Sequence, residues 1–215
     1  MADEVDRPRA REAGFTLVEL TVALGLFAAF LALFATAAVG FAGVTADARA
    51  DASSSSSIGV AAQRVQRSIR YADSVNYPGL VGTTVYTEWH TTAQSSPTGV
   101  ATCTQLRYNS ATGVIAMRTW ADTASAATGP WATILSGVTG AATTSTPFAV
   151  SPAAGGVSNY QGLTLTLNVG VTSSGSTSTT VTFYARNSSV NSRSNAIATS
   201  GQSAVPICTG TGYRP

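Results

Sequence analysis

Hydrophobic residues follow two helical patterns in the first third of the chain of 215 residues. Residues 20–46 contain no charged side chain and are almost wholly apolar, and about 20 such residues are enough for a helix to cross a bilayer. Farther on, apolar residues recur at spacings of three and four, as on one face of an α-helix: Ile58, Ala62, Val65, Ile69 and Ala72. We predict one helix over residues 15–72, with residues 15–46 spanning the membrane and the remainder amphipathic.

Several poor helix formers separate the two halves of this predicted helix. They are glycines and a run of serines: Gly40, Gly43, residues 53–57 and Gly59. No proline occurs between Pro8 and Pro78, so the segment carries no stronger helix-breaking signal. We predict local bending or partial melting over residues 40–59.

The pattern changes to a period of two in the remainder of the chain. In GLTLTLNV, residues 162–169, apolar side chains alternate with polar ones, and residues 179–186 alternate in the same way, so the two segments predict a hairpin. Residues 105–120 predict a second hairpin with its turn at residues 109–113. Shorter candidate strands are residues 83–90, 131–135 and 148–150. We therefore predict an α+β fold, in which the amphipathic half of the helix covers a mainly antiparallel β domain, residues 73–215.

Charged residues make up only 10% of the chain, against about 25% in an average soluble domain. The basic residues are all arginines, the formal net charge is +2, and the arginines form no cluster. Phosphate backbones are bound by several convergent basic side chains. The charge pattern therefore argues against nucleic acid as the main partner.

The two cysteines, Cys103 and Cys208, are too far apart in the sequence for a local metal-binding motif. They are either two buried thiols or a disulfide. We favour the disulfide, because the membrane-length segment and the hydroxyl-rich β domain suggest that this half is exported to an oxidising compartment.

A catalytic or metal site is not evident in the sequence. His90 is the only histidine, so a Ser-His-Asp arrangement would have to use it. Glu88 and His90 are expected to share one strand face, with Asp122 as a third candidate metal ligand, but a solvated polar pair at a strand edge is the simpler interpretation. Trp89, Trp120 and Trp131 are expected in the core or in hairpin packing rather than on an aromatic binding surface. We predict no enzyme activity, no cofactor and no metal.

The N-terminal region carries a more specific pattern. A charged leader, residues 1–14, ends in a glycine, and the next residues belong to GFTLVEL, residues 14–20, which leads into the apolar run. This combination resembles the class III signal of type IV pilins and type II secretion pseudopilins. The resemblance covers residues 7–41, and the rest of the chain resembles the family in architecture only. The chain lacks the proline that kinks the membrane helix of many pilins, and its cysteines enclose more of the β domain than the usual C-terminal disulfide loop.

The resemblance implies a role for each residue of the motif. A prepilin peptidase would cut after Gly14, and Phe15 would become the N-methylated N-terminus. Glu19 would be the fifth residue of the mature chain, where it would meet the N-terminal amine of a neighbouring subunit. A lone carboxylate within a membrane segment needs a cation, which supports this assignment. The simpler alternative is that Glu19 reaches the cytoplasmic headgroups from the helix start.

The function expected from this resemblance is that of a minor pilin or pseudopilin, with the major subunit of the same filament as the second hypothesis. The arginines of the leader place the N-terminus in the cytoplasm, so the chain would cross the cytoplasmic membrane once and then join a filament at the cell surface. Its expected partners are other pilin subunits, the prepilin peptidase, the inner-membrane assembly platform and membrane lipid. A third hypothesis is a membrane-anchored adhesive or ligand-binding β domain that does not polymerise.

Overall fold

A computed structural model describes Gly14 and residues 16–123, 129–156, 158–169 and 177–208. Within these ranges one long α-helix, α1 (Leu17–Ile69), precedes ten β-strands. The chain divides into two units, Met1–Ala48 and Arg49–Pro215, each of which is described by itself below. The leader residues 1–13 and Phe15 lie outside the described residues.

The part of α1 in the first unit has no buried side chain. Every residue from Leu17 to Val44 is exposed, although most of them are apolar. The helix continues through the glycine- and serine-rich residues 40–59 without a break in its helical assignment. The predicted helix is thus confirmed, with a start at Leu17 and an end at Ile69 instead of residue 72.

The second unit contains the last turns of α1 and all the strands. Their bounds are β1 (Ser74–Val75), β2 (Gly79–Val81), β3 (Thr84–Thr91), β4 (Thr102–Asn109), β5 (Val114–Ala121), β6 (Ala132–Leu135), β7 (Val138–Thr139), β8 (Phe148–Ser151), β9 (Gly162–Val169) and β10 (Thr177–Tyr184). All the pairings among these strands are antiparallel. The described residues therefore form the α+β fold that the sequence predicted.

The strands form two sheets. In sheet A the order is β1-β3-β4-β5-β6, and β2 pairs with β3 beyond the end of β1. In sheet B the order is β10-β9-β7, and β8 also pairs with β9. Both predicted hairpins are confirmed, as β4–β5 and β9–β10. The three other predicted strands correspond to β3, β6 and β8, whereas β1, β2 and β7 were not predicted.

The turn of the β4–β5 hairpin shows why its sequence is specific. The side chain of Asn109 accepts a hydrogen bond from the backbone N–H of Ala111 at 2.9 Å, which folds the turn locally. Gly113 has a φ of +64°, and a Cβ atom there would lie 2.7 Å from the carbonyl oxygen of Val138. A glycine is therefore required both by the backbone conformation and by the close approach of β7.

The larger of two hydrophobic clusters among the described residues joins the end of α1 to both sheets. The helix contributes residues at spacings of three and four: Ile58, Ala61, Val65 and Ile69. Trp89 and Leu106 from sheet A, and Phe148 and Leu163 from sheet B, are fully buried. The amphipathic half of the helix thus covers the apolar side of the β domain, as its sequence pattern predicted.

Candidate functional site

Because α1 begins at Leu17, Glu19 lies in its first helical turn. The backbone N–H of Glu19 donates to the hydroxyl of Thr16 at 3.2 Å, so Thr16 is the N-cap and Glu19 the third residue of the helix. Thr-x-x-Glu is the sequence of a capping box, and a carboxylate near the helix N-terminus is favoured by the helix dipole. Local structure alone therefore favours a glutamate or a glutamine at this position.

The carboxylate of Glu19 has no partner among the described residues. Its side chain is exposed, and no described donor lies within hydrogen-bond or ion-pair distance of it. Gly14 is also exposed, and a Cβ atom there would meet no described atom within 4 Å. Phe15, the residue predicted to carry the new N-terminus, lies outside the described residues.

The helix that follows presents a continuous apolar surface. An 18-residue window of α1 has a mean hydropathy of 2.4, and none of its residues is buried. Among the large apolar side chains of residues 17–44, Leu31 is the least exposed, at 46%, and Leu17 is the most exposed, at 79%. A contiguous apolar surface of this size marks a contact with lipid or with other protein chains.

The polar side chains within this segment are satisfied by the helix itself. The hydroxyl of Thr21 donates to the carbonyl of Val18 at 2.9 Å, and that of Thr36 donates to the carbonyl of Leu33 at 2.8 Å. A hydroxyl bonded in this way can be placed in an apolar environment at little cost. Glu19 is therefore the polar side chain of residues 17–44 for which the described structure offers no internal partner.

The sole histidine lies between two carboxylates in the second unit. Nδ1 of His90 is 2.6 Å from Oδ1 of Asp73, and Nε2 is 3.3 Å from Oδ2 of Asp122. The hydrogen bond to Asp73 raises the pKa of His90, and the charges of both carboxylates add to this effect. Burial and the charge of Arg193 oppose it. The cluster links the end of α1 to β3 and β5 by an ion pair when the imidazole is protonated.

Glu88 does not form the solvated pair with His90 that the sequence suggested. Its side chain is fully buried on the outer face of sheet A, where Asn76 bonds both Glu88 and the backbone of Ile207. The carboxylate accepts hydrogen bonds from Asn76 at 2.9 Å and from Gln105 at 2.7 Å. Among the described residues no three His, Cys, Asp or Glu side chains are arranged to hold a metal ion.

The tryptophans take different positions. Trp89 is fully buried, and its indole N–H donates to the hydroxyl of Ser68 on α1 at 3.0 Å. Trp120 is also buried, whereas Trp131 is partly exposed. The interpretation as core residues therefore holds for Trp89 and Trp120, and Trp131 lies at the surface of the outer side of sheet A.

Cys103 and Cys208 form a disulfide in the structure. Cys103 lies on β4, and the bond holds the chain near Cys208 against the outer face of sheet A, where Ile207 and Trp120 pack beside it. Asn76 bonds the backbone of Ile207 through both atoms of its amide, at 3.1 Å and 3.0 Å. This role of Asn76 could not be predicted from the sequence, because nothing in its local pattern relates it to a residue so distant in the chain.

Five clefts of the second unit are lined by described residues that include no histidine, cysteine or carboxylate. One open cleft of about 400 Å³ is lined by four serines of α1 and by β6. Its lining residues are Ser53, Ser54, Ser56, Ser57, Val60, Thr133, Ile134, Leu135, Ser136 and Val169, of which none is ionisable. Among the described residues, the start of α1 with Glu19 is therefore a stronger functional candidate than these clefts.

Comparison with known proteins identifies this same region. A family model described as the prokaryotic N-terminal methylation motif matches residues 9–35. No curated protein and no solved structure matches the chain. The motif implies processing by a prepilin peptidase and assembly with other pilin subunits, and proteins that carry it are structural subunits rather than enzymes. At its N-terminus the chain therefore carries the signature of type IV pilins and pseudopilins.

Proposed function

We propose that this chain is a minor pilin or pseudopilin, cleaved between Gly14 and Phe15, N-methylated at Phe15 and assembled into a type IV pilus or a type II secretion pseudopilus. The observation that supports this most strongly is the exposed apolar helix that begins at Leu17, with an unpartnered carboxylate in its first turn. This segment lies within the part of the chain that carries the methylation motif.

The proposed domain organisation follows from the same segment. Residues 1–14 are the leader that the peptidase removes, and residues 15–46 anchor the subunit in the cytoplasmic membrane before assembly. The β domain, residues 73–215, lies outside that membrane, where the disulfide Cys103–Cys208 forms. The assembly platform of the inner membrane then transfers the subunit from lipid into the filament.

The proposed role of Glu19 depends on leader removal. Cleavage creates a cationic amine at Phe15, close to the membrane surface. A carboxylate in hydrocarbon costs about 2.5–3.5 kcal/mol on insertion scales, and a cation from a neighbouring chain offsets this cost. An offset along the helix axis between two subunits brings the amine of one to Glu19 of the other. Apolar packing of residues 15–41 drives the assembly, and this ion pair sets the register.

The retention of Glu19 favours a position beside or below another subunit, since subunits confined to the filament tip can lack this residue. The β domain is also large for a simple major pilin. The size of the β domain favours the minor subunit, whereas the retention of Glu19 fits both. The fraction of this chain in sheared filaments, measured against the other pilins of the same cell, decides between the two.

The test is to replace Glu19 by glutamine in the full chain and to measure its incorporation into filaments. Glutamine keeps the capping-box pattern and removes the charge, so it separates the two roles of this residue. We expect incorporation to fall at least about tenfold, because a hydrogen bond to a charged group contributes about 1.5–3 kcal/mol. Leader cleavage should be unchanged.

The matched control is Asp47→Asn, which removes an exposed carboxylate from the same helix beyond the charge-free stretch. This variant should assemble normally. If Glu19→Gln is processed and incorporated as well as Asp47→Asn, Glu19 does not pair with a neighbouring amine and the proposed assembly contact is wrong.

A further inference from the structure

Two arginines and a tryptophan form a cluster on the side of sheet A that faces away from α1. Arg107 lies on β4 between the core residues Leu106 and Tyr108, so its side chain points to the opposite face of the sheet. Arg118 lies on β5, and Trp131 directly precedes β6. We call these three residues, Arg107, Arg118 and Trp131, the Arg–Trp cluster.

Both guanidinium groups contact the same indole ring. The Cζ atom of Arg107 is 4.1 Å from the ring centroid of Trp131, and that of Arg118 is 4.3 Å from it. The ring of Tyr86, which is opposite Arg107 in the sheet, lies 6.3 Å from the ring of Trp131. Two like charges are thus held close together by cation–π contacts, although they repel each other.

A buried hydrogen-bond chain fixes the position of Arg118. Its Nε donates to Oε1 of Gln105 at 2.7 Å, and Nε2 of Gln105 donates to Oε1 of Glu88 at 2.7 Å. Gln105 and Glu88 are both fully buried. Burial, and next the charge of Arg107, lower the pKa of Arg118, whereas the charges of Tyr86 and Glu88 oppose this effect.

Arg107 is held by the indole ring but not by hydrogen bonds. No described residue accepts a hydrogen bond from its guanidinium group or forms an ion pair with it, and the side chain is partly exposed. Its planar set of N–H donors matches the oxygens of a carboxylate, sulfate or phosphate. An oxyanion at this position would also offset the positive charge of Arg107.

We propose that the Arg–Trp cluster binds the oxyanion groups of an anionic polysaccharide. A nucleic acid is less well matched, because it needs more convergent cations and gains much of its affinity from base stacking on open aromatic faces. Here two cations converge, and the indole ring is already in contact with both. A polysaccharide with one carboxylate or sulfate per sugar requires only one or two guanidinium groups at each subunit. This binding activity goes beyond filament assembly and does not depend on it.

The test measures binding to the full chain in nanodiscs of neutral phosphatidylcholine, by titration calorimetry. The probes are a hexagalacturonate, a heparin-derived hexasaccharide and, for comparison, a hexathymidylate. We expect at least one oligosaccharide to bind more tightly than hexathymidylate, with an affinity that falls as salt is added. The stronger oligosaccharide identifies carboxylate or sulfate as the preferred group.

Substitutions then locate the site. Arg107→Gln should weaken oligosaccharide binding about tenfold, and Arg107→Lys, which keeps the charge but loses the planar set of donors, should weaken it less. The matched control is Arg186→Gln, because Arg186 is an exposed arginine that also stacks on an aromatic ring, that of Tyr160 at 5.4 Å. This control should change the affinity less than twofold.

Three results would overturn the proposal. The first is the absence of oligosaccharide binding to the unsubstituted chain at millimolar concentration. The second is an equal loss of affinity in Arg107→Gln and Arg186→Gln, which would indicate a non-specific charge effect. The third is binding of hexathymidylate as tight as that of the stronger oligosaccharide.

Discussion

The N-terminal and C-terminal ends of α1 are both helical, but only the C-terminal end is covered by the rest of the described chain. Residues 17–44 are apolar around the whole helix and are exposed, whereas the last turns of the helix bury one stripe: Ile58, Ala61, Val65 and Ile69. A helix that is apolar on all sides is typical of a membrane span or a shared core, and a one-sided helix is typical of packing within a domain. The difference indicates that the first end has its partners outside this chain and the second end has them inside it.

Loss of the disulfide is expected to have the largest effect on the stability of the β domain, which covers the C-terminal end of α1. The double substitution Cys103→Ser and Cys208→Ser should lower the free energy of unfolding of the β domain by about 4 kcal/mol, because the bond closes a loop that spans 105 positions. Urea denaturation of the full chain in detergent, followed by tryptophan fluorescence, measures this change. Amide-exchange protection of residues 17–39 should not change, since the bond lies in the other unit. A loss below about 1 kcal/mol would show that the tail near Cys208 contributes little to the domain.

A pair of truncations compares the two ends of the helix directly. Ile69→Ala removes a fully buried side chain and should lower the free energy of unfolding of the β domain by about 3 kcal/mol. Leu26→Ala removes a side chain that is 69% exposed and should change this free energy by less than about 0.5 kcal/mol. The same urea titration compares them. Equal losses would contradict the distinction between the two ends.

A smaller, pH-dependent effect is expected at His90, where the end of α1 joins sheet A. Because the pKa of His90 is raised in the folded state, its contribution to stability is fully present below the unfolded value of about 6.5 and is lost as the pH rises through the folded value. The contribution should be at most about 1 kcal/mol, since the imidazole and both carboxylates are partly exposed.

The measurement is the difference in unfolding free energy between the unsubstituted chain and His90→Gln, at several pH values. We expect it to be largest near pH 5.5 and to shrink as the pH rises above 7. A difference that is constant across this range would mean that His90 contributes through packing rather than through its charge.

The smallest expected effect concerns the junction between the two ends. Residues 40–59 are helical in the structure, but their glycines and serines give the helix little intrinsic stability. Hydrogen exchange in assembled filaments should therefore be faster at residues 40–57 than at Val65 and Ile69. Uniformly strong protection across residues 40–59 would contradict the predicted bending or melting.

The sequence was sufficient where a pattern extends over many residues. The long helix and the hairpins β4–β5 and β9–β10 follow from their periodicity. The start of α1 was predicted at residue 15, two residues before Leu17, because the capping signal of Thr16 and Glu19 was not used. The strands β1, β2 and β7 have only two or three residues each, which is too short for an alternation to be recognised. They are formed by pairing with longer strands.

A contact between side chains could be predicted only where the chain has few residues of the type that forms it. The chain has two cysteines, so a disulfide could join only Cys103 to Cys208. The burial of Glu88 depends on Asn76, which also bonds the distant Ile207, and the Arg–Trp cluster depends on the register of three strands. No local pattern in the sequence determines that register.

We propose that the exposed end of α1 acquires its partners after removal of the leader. The decisive measurement is intact-mass analysis of the chain isolated from the membrane of its native host, combined with fragmentation of its N-terminus. We expect a chain that begins at Phe15, lacks residues 1–14 and carries one added methyl group on the N-terminal nitrogen. A chain that retains residues 1–14 would contradict it and would indicate a membrane-anchored binding protein that does not polymerise.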